Sequence, residues 1–98
     1  MILVRDIFQL KFGKAKDALS LWKEGSQIIK KVGLNIDRIL VDLTGPYYTL
    51  VLETKFKSLA EYEKIDSEHV ASEDWKQWYQ KFVLLVESGR REIFRIVE

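Results

Sequence analysis

A chain of 98 residues, 47% apolar and 12% aromatic, has the length of one domain (1–98) and too much apolar content for disorder. Its formal net charge is +1 with acids and bases intermixed, which leaves no concentrated basic face for nucleic acid. It contains no cysteine, and that excludes disulfides, thiolate metal sites, iron–sulfur clusters and a cysteine nucleophile.

Residues 1–11 alternate imperfectly, with Ile2, Val4, Phe8 and Leu10 on one face and Leu3 and Ile7 on the other. Apolar residues on both faces predict a strand buried from both sides. Charges at Arg5 and Asp6 come too early for a signal peptide, and no apolar run reaches membrane-spanning length. A cytoplasmic protein with no membrane partner is expected. After Phe12-Gly13, the recurrence of Ala15, Ala18, Leu19, Trp22 and Ile29 predicts a helix over 14–32, stopped at Gly33.

Period two returns over 35–44 and again over 47–56, separated by the turn residues Gly45-Pro46, so these runs predict a hairpin. Ser58-Leu59-Ala60-Glu61 is a capping-box pattern that opens a second helix, carrying Leu59 and Tyr62. Ser72-Glu73-Asp74 restarts it, with acids suited to the positive end of the helix dipole. Trp75, Trp78, Tyr79, Phe82, Val83 and Val86 then form an apolar stripe. Ser88-Gly89 reads as the helix stop, and 91–97 as the last strand.

The order strand, helix, strand, strand, split helix, strand gives an α+β, ferredoxin-like β-α-β-β-α-β fold. Its four-stranded antiparallel sheet carries the helices on one face, with the first and third strands central. Tyr47, Thr49 and Val51 alternate with Tyr48, Leu50 and Leu52, so both faces of the third strand have apolar surface to hide. A second copy packed on the open face would bury the surplus, at about 25 cal/mol per Å² of apolar area. A homodimer through that face is therefore expected.

Lys11-Phe12-Gly13-Lys14 after the first strand, Ala18 to Trp22 on the helix and Lys57 to Tyr62 after the third strand carry a resemblance. With them the whole chain resembles the dimeric α/β-barrel superfamily, in particular its NIPSNAP-like and antibiotic-biosynthesis-monooxygenase-like members. Phe12 stands where NIPSNAP-like relatives often have proline. The resemblance implies a cleft between helices and sheet that takes a hydrophobic or aromatic small molecule. It also implies a monooxygenase-like activity needing no cofactor, or a structural or regulatory dimer without activity. Haem-degrading relatives combine an asparagine, a tryptophan and a histidine. That set does not carry over, because Asn35 follows the first helix and does not lie in the first strand.

His69 is the only histidine and so the only side chain that titrates near neutrality without a large shift. It is the candidate acid–base group if it faces the cleft, and a helix-end residue if it does not. Arg5 and Asp6 point to opposite faces of a central strand, and each needs a partner or a wet cavity. Glu53 is the expected mate of Arg5, with a ligand site as the alternative. Trp22, Tyr48, Tyr62 and Trp78 join Arg5 as candidate ligand-binding residues, set against a purely structural aromatic core. One histidine and scattered acids offer no metal cluster, and no phosphate-binding glycine loop or G-x-S-x-G elbow occurs.

Overall fold

The computed structural model, which describes residues 1–97, runs β1 (Ile2–Leu10), α1 (Ala15–Lys30), β2 (Arg38–Val41), β3 (Thr49–Phe56), α2 (Leu59–Ala71), α3 (Glu73–Val83) and β4 (Val86–Arg95). The strands form one antiparallel sheet in the order β2-β3-β1-β4, with β1 and β3 central as expected. Alternation decides what each face carries. Val4, Leu10, Leu50, Leu52 and Phe56 are buried, and Leu10, Leu50 and Leu52 pack with Ala18, Trp22 and Ile29 of α1 and Trp78 and Phe82 of α3. The helices therefore cover one side of the sheet.

Helix ends follow the local chemistry. The Ser58 hydroxyl accepts from the Glu61 N–H at 3.2 Å, and the Glu61 carboxylate accepts from the Lys57 N–H at 2.8 Å. Ser72, extended at φ −67° and ψ 126°, ends α2 and caps α3 by accepting from the Trp75 N–H at 3.3 Å. The split second helix is thus written in two serines. Gly33, at φ +87°, reverses the chain after α1, and the Leu34 N–H returns to the Ile29 carbonyl at 3.1 Å.

Two boundaries differ from the sequence reading. β4 starts at Val86 and not at Arg91, because Leu85 ends α3 by donating to Phe82 and accepts from Lys11 beside β1. Gly89 is a strand residue opposite Phe8, whose ring lies 3.0 Å from where a Cβ would stand. This glycine admits an aromatic neighbour and does not stop a helix. The hairpin strands are shorter than their alternating runs: Tyr48 has φ +62°, and the Asp42 carboxylate takes the Thr49 N–H at 2.7 Å. Both divert the backbone from extended geometry at the turn.

The uncovered face carries a row of charges across all four strands, Arg38, Glu53, Arg5 and Glu92. Glu53, only 3% exposed, sits 3.0 Å from Arg5 Nε and 2.7 Å from Arg38 Nε. The expected mate of Arg5 is therefore in place. Leu3, Ile7, Leu40, Val51 and Phe94 share this face, and Phe94 is 47% exposed.

Candidate functional site

Between the sheet and α2 the packing is incomplete. No residue of α2 is buried, whereas α1 and α3 meet through Trp22, Trp78 and Phe82. The gap is a cavity of about 530 Å³, within the usual range for small-molecule sites. β1 supplies Val4, Asp6 and Phe8 to its wall, and β3 supplies Leu52, Thr54 and Phe56. Trp22 and Ile29 enter from α1, Tyr62, Asp66 and His69 from α2, and Trp75, Tyr79 and Phe82 from α3. One end is therefore largely aromatic and aliphatic.

The other end is polar. Arg91 of β4 lies opposite Asp6 in the sheet register and donates from Nε to its carboxylate at 2.5 Å. A second guanidinium nitrogen donates to the Tyr62 hydroxyl, and the guanidinium lies 5.8 Å from the Tyr62 ring centre. Burial raises the Tyr62 phenol above its ordinary value, so it stays protonated at neutral pH. Burial opposes the charge on Arg91, but the hydrogen bond to Asp6 and the electrostatic pull of Asp6, Tyr62 and Asp66 together outweigh it and raise its value. Burial lowers His69 below the ordinary 6.5 despite Asp66 nearby, so its imidazole is neutral at pH 7. Its ring centre is 3.9 Å from that of Trp75.

Two cavity-lining side chains hold a buried nitrogen with no hydrogen-bond partner among the described residues, Nε1 of Trp22 and Nδ1 of His69. Buried polar groups are nearly always bonded, so such atoms mark places where a further partner fits.

Of the residues singled out in the sequence, Trp22, Tyr62 and His69 line the cavity. The other three do not. Trp78 is 1% exposed within the core, where its indole donates to the Leu21 carbonyl at 2.8 Å. Tyr48 packs against Phe12 at the hairpin end, with ring centres 4.8 Å apart. Arg5 lies on the opposite side of the sheet, engaged with Glu53. Alternation places Arg5 and Asp6 on opposite faces, and the cleft received Asp6. The sequence reading missed Arg91 as a site residue; its signal is a charge at a strand position that alternation sets on the same face as Ile93.

Among the described residues, no three His, Cys, Asp or Glu side chains are grouped to hold a metal ion. Nor, among the described residues, is any helix long and apolar enough to cross a membrane.

A sequence model of the NIPSNAP family matches residues 5–98. No curated protein shows significant similarity to the chain. Among solved structures, an uncharacterized NIPSNAP domain protein from Burkholderia xenovorans superposes with a TM-score of 0.93 at 13% identity, over 99% of this chain and 95% of that one. A NIPSNAP family protein from Agrobacterium tumefaciens gives 0.91 at 21% identity, over 99% and 93%. An antibiotic biosynthesis monooxygenase gives 0.73 at 17% identity, over the whole of both chains. At these identities the likeness is one of fold.

Proposed function

The chain belongs to the NIPSNAP family, and from that premise we propose that it binds a hydrophobic or aromatic small molecule in the cleft between sheet and helices. The observation that carries this reading is the pair of partnerless buried nitrogens, on Trp22 and His69, in the walls of one aromatic-lined cavity. Buried nitrogens without a partner are uncommon in a filled structural core. Trp22, Trp75 and Phe8 would take the flat apolar body, and Tyr62 and His69 its polar end. A neutral imidazole in that position is suited to accept a proton from a bound substrate, which is the catalytic role proposed for His69. In this reading the activity is monooxygenase-like and uses no cofactor, consistent with the fold shared with an antibiotic biosynthesis monooxygenase.

We further propose that residues 1–98 act as one dimeric α/β-barrel domain of the cytoplasm, paired through the uncovered sheet face. The apolar set Leu3, Ile7, Leu40, Val51 and Phe94 supports it, and the Arg–Glu row on the same face is already neutralised pair by pair.

The ligand reading is tested by thermal unfolding with a panel of neutral aromatics of one to three rings. A ligand at about a hundred times its dissociation constant stabilises the fold by about 2.7 kcal/mol, a readily measured shift. A panel that moves nothing would leave the alternative, a structural or regulatory module.

A further inference from the structure

The polar end of the cleft is unbalanced in charge. Three carboxylates reach its lining, Asp6 of β1, Asp66 of α2 and Glu87 of β4. Two cationic residues also line it. Arg91 is engaged by Asp6, and Arg90 has the open-face register of Ile7 and pairs with Glu92, its Nε 3.7 Å from that carboxylate. Asp66 and Glu87 have no ion-pair partner among the described residues. The remaining polar atoms ask for a group of both hydrogen-bonding kinds. Trp22, 4% exposed, offers an unused indole N–H that can only donate, while the Asp66 carboxylate can only accept.

We propose that Asp66 is a specificity-determining residue, and that the cleft admits uncharged aromatic compounds bearing a hydroxyl or amino donor while rejecting aromatic carboxylates. This rests on the reading of the cleft as a ligand site. A hydroxyl both accepts from the indole N–H and donates to a carboxylate or an imidazole nitrogen. A ligand carboxylate would instead face Asp66 and Glu87 with Arg91 already taken, and like charges in a partly desolvated site repel by an amount equivalent to roughly tenfold in affinity or more.

The test compares 2-naphthol with 2-naphthoate by isothermal titration calorimetry, on the wild type and on Asp66→Asn. The two ligands share an aromatic body and differ in the charge of one substituent at neutral pH. The expected result is a wild-type preference for 2-naphthol of roughly tenfold or more, reduced several-fold in Asp66→Asn. Glu87→Gln, at an exposed rim position, repeats the comparison should the first variant fold poorly. Equal or tighter binding of 2-naphthoate by the wild type would overturn the charge selection and leave the ligand site standing. Binding of neither compound would overturn both.

Discussion

The indole of Trp78 fills the space beside Gly25 that a side chain would need: a Cβ on Gly25 would lie 2.6 Å from Trp78 Cζ2. The same indole donates to the Leu21 carbonyl one turn earlier on α1, which leaves that carbonyl shared between its own helix and a neighbour. α1 and α3 are thus joined through a glycine in a helix interior, where glycine alone would be disfavoured. Gly25→Ala gains up to about 1 kcal/mol of helix propensity and loses more by displacing a close-packed ring. The expected outcome is a net destabilisation of about 1–3 kcal/mol, read as a lower urea midpoint with unchanged slope.

On the other side of the sheet, Glu53 is held between Arg5 and Arg38. Arg5 is 31% exposed at its side chain and Arg38 62%, so the carboxylate is the buried member of the trio. Glu53→Gln leaves Arg38 without its counter-charge and Arg5 with Glu92 alone, 3.6 Å away, and is expected to cost about 2 kcal/mol. Arg38→Met removes a largely solvated partner and is expected to cost about 0–1 kcal/mol. Denaturant titrations of the two variants should rank them in that order; the reverse ranking would remove Glu53 from the centre of the network.

Acid sensitivity follows from His69. Its folded value lies below 6.5, through burial first and Arg91 second, against the opposing pull of Asp66 and Asp6, while Trp75 packs on its ring. The unfolded chain therefore binds the proton more tightly, so this contribution to stability is full above the unfolded value and is lost as pH falls through 6.5 toward the folded value. His69→Gln should flatten that part of the stability curve. Urea midpoints at about pH 7.5 and about pH 5.5 should differ less in the variant than in the wild type.

The dimer makes its own prediction. Phe94 is 47% exposed on the uncovered face, next to Leu3 in the register. Phe94→Glu places a charge in the proposed seam, and light scattering should then report the single chain mass where the wild type reports twice that mass. Circular dichroism of the variant should be unchanged.

Much of the fold was legible because alternation and caps act locally. Ser58 and Ser72 mark two helix starts, Gly33 a chain reversal, and the opposed faces of Arg5 and Asp6 follow from strand geometry alone. The cleft was less legible for a physical reason. Trp75, Trp78 and Phe82 share one helical stripe, and periodicity cannot say that Trp78 enters the core while Trp75 reaches the cavity. Asp6 and Arg91 meet from opposite ends of the chain. Gly89 misled for a related reason, since glycine serves a helix stop and a close approach equally well, and only the Phe8 ring tells them apart.

The ligand site itself is tested most directly at the indole N–H groups. The chain has three tryptophans, and a heteronuclear spectrum assigned with single Trp→Phe variants resolves each N–H. On titration with 2-naphthol, the signal of the Trp22 indole, which has no acceptor among the described residues, should shift the most, while that of Trp78, held by Leu21, shifts least. A Trp22 signal that stays in place, or shifts confined to open-face residues such as Leu40 and Phe94, would contradict a ligand in the cleft.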